Sequence, residues 1–390
     1  MTARLPYLNS RLQGLGTTIF AAMSAVAEAT GSVNLGQGFP DYDGPTEVLE
    51  AACDAIRSGH NQYPPGRGIK PLRDAIAAHQ RHFYGLEFDP ASEVLVTAGA
   101  TEALAAAILS LCEVGDEVIM FEPYYDAYPA LVAMAGGTHR VVPLRPPGWG
   151  FDPEELRRAV TARTRLLIVN TPHNPTGKVF GEDELEVIAA LCRDHDLIAV
   201  TDEVYEHLIF EGEHRPLATF DGMRDRTVTI SSAGKTFSVT GWKIGWACAS
   251  PPLLDSVQTA KQFLTFANGT PLQHAVAAGF TLPDDRLAEV CDDLRMRRDL
   301  FCAGMANLGF DVLAPASGYF ATTDIASIGE QDAAAFCAEI PGRCGVVGIP
   351  SHVFYDHKDD ARTLVRWAFC KSTPTLEEAL ARLAELSPSR

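Results

Sequence analysis

Lys235 stands between a glycine and a threonine in Ser231-Ser-Ala-Gly-Lys-Thr-Phe237, and Lys243 follows eight residues later in Gly241-Trp-Lys-Ile-Gly245. An isolated lysine in such a place is usually a surface charge. Here hydroxyls at Ser231 and Ser232 precede it and a second cation follows, so two cations and two hydroxyls can converge. A dianionic phosphate wants such partners. A neighbouring cation also lowers an amine's pKa, which an amine nucleophile requires. The fragment is not a P-loop, because that spacing would put a glycine at Thr229.

Three other motifs each follow an apolar run. In Thr97-Ala-Gly-Ala-Thr-Glu102, Gly99 and the small Ala100 would let backbone N–H groups meet an anion at a helix N-terminus. Alone, that motif is the mark of a glycine turn with a threonine cap. In Asn170-Thr-Pro-His-Asn-Pro-Thr-Gly177, two prolines and a glycine build a rigid turn that can present the Asn174 amide. His173 within it reads as a loop histidine satisfied by solvent. In Thr201-Asp-Glu-Val-Tyr205, an aspartate closes an apolar strand and a tyrosine follows three residues on. A carboxylate there can hold a ring nitrogen protonated, and a phenol can donate to a ring oxygen. Asp202 by itself could equally cap a helix, and Glu203 and Glu206 take that simpler reading.

Short β-rich runs alternating with helical patterns must position these groups. Expected pairs are Glu93–Thr97 with Glu102–Cys112, Glu117–Phe121 with Ala127–Ala135, and Arg165–Asn170 with Asp183–His195. Leu197–Thr201 and Thr227–Ser231 read as further buried strands. Strands this apolar on both faces predict an α/β fold, a mostly parallel sheet sandwiched by helices, with ligands gathered at the strands' carboxyl ends. After residue 282 the pattern changes to a long helix, Asp284–Leu308, short strands at Tyr319–Thr323, Gly345–Ile349 and Thr363–Phe369, and a last helix, Leu376–Leu386. The expected division is an N-terminal arm over 1–35, a large domain over 36–282 and a smaller α+β domain over 283–390.

The formal net charge of −18 leaves no basic stripe for a nucleic-acid partner. Nine cysteines stand singly, without a Cys-x-x-Cys pair, which reads as reduced thiols in a cytoplasmic protein with no metal site. The stretch from Thr17 to Ala27 has a signal-like composition, but its apolar spacing fits an amphipathic helix. No apolar run reaches the roughly 18 residues of a membrane span.

Taken together, Asn174-Pro-Thr-Gly177, Asp202 with Tyr205, Ser231-Ser-Ala-Gly-Lys235 and Gly241-Trp-Lys-Ile-Gly245 resemble the signature of class I/II, fold-type I, pyridoxal-5'-phosphate (PLP) aminotransferases. The likeness runs from Asn34-Leu-Gly-Gln-Gly-Phe-Pro-Asp41 to Arg366 and so covers nearly the whole chain. It implies that Lys235 carries PLP as a Schiff base, and that Asp202 pairs with its ring nitrogen. Asn174 and Tyr205 would hydrogen-bond its ring oxygen, and Tyr125 would stack on the ring. The backbone at Gly99, Ala100 and Thr101, with Ser232 and Lys243, would hold the phosphate. Tyr63 would reach the phosphate of a partner subunit, which implies a homodimer. Arg366 would clamp the substrate α-carboxylate as a bidentate fork, with Gly38 on the carboxylate side of the pocket. Two positions depart from common members: lysine stands at 243 where many have arginine, and Phe20 lies near a position where members favouring aromatic amino acids often carry tryptophan.

The implied reaction moves an amino group from an L-amino acid to a 2-oxo acid, with 2-oxoglutarate as the expected acceptor and ping-pong kinetics. Freed Lys235 would be the proton carrier. Within the family, Asn34–Asp41, Thr201–Leu208, Ser231–Trp246 and Lys261–Gln262 are most similar to the actinobacterial N-succinyldiaminopimelate aminotransferases. The donor expected on that likeness is N-succinyl-LL-2,6-diaminopimelate. Kynurenine, glutamine and methionine aminotransferases are also similar. A PLP-dependent carbon–sulfur β-lyase would keep the same lysine, aspartate and arginine, and stays open at this point.

Overall fold

The computed structural model describes residues 7–13, 16 and 18–386. Thr17, where the signal-like stretch begins, therefore lies outside the described residues. The rest of that stretch belongs to a helix over Ile19–Thr30. Thr18 caps it by accepting from the Ala21 N–H at 3.3 Å, and Gly31 ends it in the left-handed region.

Strand β1 spans Val33–Asn34. Seven strands form the large sheet: β2 (Val94–Thr97), β3 (Glu117–Glu122), β4 (Thr138–Pro143), β5 (Thr164–Asn170), β6 (Ile198–Asp202), β7 (Thr227–Ser232) and β8 (Gly245–Cys248). Their order is β2-β8-β7-β6-β5-β3-β4, and only β8 runs against the others. Alternate side chains leave the sheet on opposite faces. Thus Ile119, Leu167 and Ala199 join one core, while Val118, Leu166 and Val200 join the other. Both faces are covered by helices, which is why the inner strands are mostly apolar.

The expected strands appear with ends shifted by a residue or so. Two strands of this sheet were not expected. β4 lies at the sheet edge with half-exposed polar residues, so it lacks the apolar signature. β8 is four residues long and begins inside the Lys243 motif.

The remaining strands are β9 (Asp311–Leu313), β10 (Phe320–Asp324), β11 (Val346–Val347), β12 (Ile349–Pro350) and β13 (Leu364–Ala368). Four of them make an antiparallel sheet in the order β12-β13-β10-β9, in which Thr322 pairs with Arg366. The helices Asp284–Asn307, Ala333–Arg343 and Thr373–Leu383 contribute to its core. β1 pairs in parallel with β11, and Leu35 is fully buried in the same core. The segment after β1 is thereby carried from the C-terminal unit to the mouth of the large sheet. Among the described residues no helix is long and apolar enough to cross a membrane. All nine cysteines are free; seven are buried, while Cys53 is exposed and Cys302 partly so.

Candidate active site

The parallel strands deliver polar residues to one edge. Asn170 closes β5, its register partner Asp202 closes β6, and Ser232 closes β7 opposite Gly245. A one-turn helix, Ala233–Thr236, then holds Lys235 above the edge. These groups border a cavity of about 250 Å³ that also reaches Arg366.

Lys235 loses solvation in this cavity, and burial pulls its amine down to a pKa of about 8, with Lys243 and Arg366 acting in the same direction. A useful share of neutral amine therefore exists near neutral pH. Its Nζ donates to the Tyr319 hydroxyl.

Asp202 is buried, and burial raises its carboxyl to about 6 against the opposing hydrogen bond from Tyr128. Tyr128 donates to Oδ2 at 2.6 Å, whereas Oδ1 is buried without a partner. A buried carboxylate oxygen left unsatisfied is costly and suits a cationic N–H from a bound molecule. The Asn170 side chain ties the neighbouring strand ends together. It donates to the Asp202 carbonyl at 2.8 Å and accepts from the Asn174 N–H at 2.7 Å. The proline-rich turn is thus anchored to β6 at its first residue.

At the other end of the cavity lies the N-terminus of the helix Gly99–Leu111, whose cap position, Ala98, supplies no side-chain bond. A β-carbon on Gly99 would lie 3.1 Å from the Lys243 Nζ. Lys243 itself adopts a left-handed backbone, φ 53°. A β-carbon on Gly245 would collide with the Gly99 and Ala100 backbone, so glycine there lets β8 pass against the helix end. A cation held against the positive end of a helix is repelled unless an anion sits between them. Ser232 and Thr101 border the same space.

Arg366, on β13, is buried. It donates to the Gly36 carbonyl at 3.0 Å and the Asn174 Oδ1 at 3.3 Å, while its Nε has no partner. Phe320, Phe354 and Phe20 surround the guanidinium at 3.9, 4.8 and 5.0 Å from ring centroid to Cζ. Burial lowers it to about 10, so it remains charged at neutral pH. A buried fork with a free N–H is suited to a carboxylate.

Of the residues singled out from sequence, Gly99, Ala100, Thr101, Tyr125, Asn174, Asp202, Tyr205, Ser232, Lys235, Lys243, Gly38, Phe20 and Arg366 border this one cavity. Tyr63 does not. It is 83% exposed, with its ring against Phe266 at 5.5 Å. Two readings are corrected. His173 is not solvated: it is buried, bonded to the Thr176 hydroxyl at 2.8 Å, and pulled down to about 3 by burial. Nor are Glu203 and Glu206 helix caps. Glu203 is buried against Thr201 and His214, and Glu206 against Ser231 and Tyr84. Tyr128, Asn170 and Tyr319 were missed. Tyr128 falls three residues after Tyr125 on a helix, but nothing local announces that it meets a strand end 74 residues away. In the sequence Tyr319 stands only as the start of an expected strand.

The family model for "Aminotransferase class I and II" matches residues 30–383. The chain is 51% identical to the probable N-succinyldiaminopimelate aminotransferase DapC of Mycobacterium tuberculosis, covering 97% of this chain and 98% of that protein. It is 37% identical to the methionine aminotransferase of Escherichia coli, over 97% and 98%. It also overlays the solved N-succinyldiaminopimelate aminotransferase of M. tuberculosis with a TM-score of 0.96, over 97% of this chain and all of that one. Solved aspartate aminotransferase from Thermus thermophilus follows at a TM-score of 0.90 and 34% identity, over 97% and 99%. The family match over residues 30–383 and this likeness along nearly its full length make the chain a member of the class I and II aminotransferases, an enzyme that transaminates.

Proposed function

We propose that the chain holds pyridoxal 5'-phosphate on Lys235 and uses it to pass an amino group from N-succinyl-LL-2,6-diaminopimelate to 2-oxoglutarate. The observation that carries the cofactor reading is the buried, unpartnered Oδ1 of Asp202, which borders the same cavity as a lysine of lowered pKa. A protonated ring nitrogen would satisfy that oxygen. The lysine held against a helix N-terminus supports a phosphate at the opposite end. On this reading the N–H groups of Gly99, Ala100 and Thr101, with Ser232 and Lys243, hold the phosphate. Asn174 and Tyr205 hold the ring oxygen, and Tyr125 lies on the ring face.

When bound, the cofactor supplies an electron-withdrawing ring that stabilises the negative charge left as the substrate loses its α-proton. The protein's residues do the rest. Asp202 keeps its negative charge opposite the ring nitrogen. Arg366 grips the α-carboxylate, with Gly38 beside it, and so fixes which bond at Cα is aligned for cleavage. Lys235 Nζ takes the Cα proton and returns it within the same enclosed space, where few waters compete. Donor and acceptor use one site in turn, which gives ping-pong kinetics.

The named donor rests on the M. tuberculosis relatives. A second reading, a methionine or kynurenine donor, is supported by the three phenylalanines around Arg366 and by the E. coli relative. We further assign residues 1–35, 36–282 and 283–390 to an arm, a cofactor-binding domain and a small domain. A homodimer in which Tyr63 serves the partner's site is supported by the exposed Tyr63, Phe263 and Phe266. The free cysteines support a cytoplasmic location.

The test is a spectral titration of the purified enzyme with N-succinyl-LL-2,6-diaminopimelate, methionine, kynurenine and glutamate. Conversion of the cofactor's visible band to the amine form by the first donor, at the lowest concentration, is expected. Preferential conversion by methionine or kynurenine would move the assignment to the second reading. Absence of any cofactor band after added PLP would remove Lys235 from its role.

A further inference from the structure

Tyr319 belongs to none of the motifs above, yet its hydroxyl sits between two parts of the site. It accepts from Lys235 Nζ and donates to the Gly38 carbonyl at 2.7 Å. The ring is buried, edge-on to Tyr205 at 5.1 Å, and packed against Phe320 at 4.9 Å. A β-carbon on Gly38 would collide with the Phe320 and Tyr319 rings, so the glycine segment and the two aromatics are fitted to each other. Burial holds the phenol well above its ordinary pKa, so it keeps its proton.

A phenol has one proton to give. Because that proton is committed to the Gly38 carbonyl, the oxygen can only accept from the lysine. An amine that donates one N–H to a fixed oxygen has its lone pair turned away from it. We infer that Tyr319 is a positioning residue for Lys235, accepting one of its N–H bonds so that the free amine keeps its lone pair on the open side of the cavity. The same bond joins the lysine of the large sheet to the segment that carries Gly36, the carbonyl partner of Arg366. Proton carrier and carboxylate clamp are thereby held to one reference point. This inference rests on the reading of Lys235 as the proton carrier.

The charge state of Lys235 is set by burial and the cations Lys243 and Arg366, which oppose the ammonium, and by Asp202, which favours it. Tyr319→Phe leaves all of these in place and fills nearly the same volume. A hydrogen bond from the ammonium to the phenol oxygen stabilises the charged form, so its loss should make the amine easier to deprotonate. In cofactor-free protein, the pH dependence of Lys235 labelling by an amine-reactive reagent, read by peptide mass spectrometry, should shift to lower pH by about one unit, the size of one charge-assisted bond. In the holoenzyme, kcat should fall about tenfold or more, by a larger factor than any rise in KM for the amino donor. The isotope effect from α-deuterated donor should rise, because proton transfer then limits turnover more strongly. An unshifted labelling curve together with wild-type kcat and isotope effect would overturn the role of Tyr319 alone. If the wild type neither binds cofactor nor transaminates, the reading of Lys235 fails first.

Discussion

Burial holds the Asp202 carboxyl near pKa 6, with one oxygen given to Tyr128 and the other unpartnered. Because this value lies above the ordinary 3.8, the folded chain binds the proton more tightly than the unfolded one. Its contribution to stability is therefore complete below about pH 4 and lost as the pH rises through about 6, a loss of roughly 3 kcal/mol. Cofactor-free Asp202→Asn should accordingly melt higher than cofactor-free wild type at neutral pH, while transamination falls by about 100-fold or more. Equal melting temperatures would contradict the idea that this carboxylate is held at a cost for a ligand's sake. Arg366 offers the complementary case, a cation whose Nε waits for an acceptor. Arg366→Ala should lower kcat/KM by about 2–5 kcal/mol for donor and acceptor alike, because both carry the carboxylate. Steady-state kinetics with an amino acid and with a 2-oxo acid separate this from a side-chain effect, which would touch one substrate only.

The elements matter through where their ends meet. β8 runs against its neighbours, and its first residue, Gly245, lies opposite both Ser232 and Thr97. One glycine therefore controls how closely β7, β2 and the helix after β2 come together. Gly245→Ala places a methyl group into the Gly99 and Ala100 backbone. The expected result is a loss of about 1–3 kcal/mol in thermal or urea stability. A larger proportional loss of PLP affinity should accompany it, measured by equilibrium titration. Unchanged cofactor affinity in a destabilised variant would place the phosphate elsewhere.

At the scale of the molecule, one chain provides a cavity in which Tyr63 has no part, although that tyrosine is among the most exposed aromatics described. If it completes a neighbour's site, Lys235→Ala and Tyr63→Ala enzymes, mixed under conditions that exchange subunits, should recover activity that neither parent has. Each mixed dimer would contain one intact site. No recovery, with mixed dimers demonstrated by mass spectrometry, would exclude the shared site. Most of the large sheet was legible because every residue of β2, β3, β6 and β7 is buried, whereas the half-exposed edge strand β4 and the four-residue β8 were not. A strand covered on both faces is built mainly from apolar and small hydroxyl side chains over its middle, whatever lies beside it in space. The turn after β5 and the residues at strand ends were legible for a related reason, since proline, glycine and polar side chains mark where an apolar run must stop. What only the tertiary structure decided are the partnerships across sequence. Tyr128 meets Asp202, Tyr319 joins Lys235 to Gly38, and β1 is carried onto β11 so that Gly36 reaches Arg366. Such contacts leave no local trace, because a tyrosine that packs and a tyrosine whose hydroxyl bridges an amine and a carbonyl obey the same local propensities and differ only in what the fold brings to their hydroxyls.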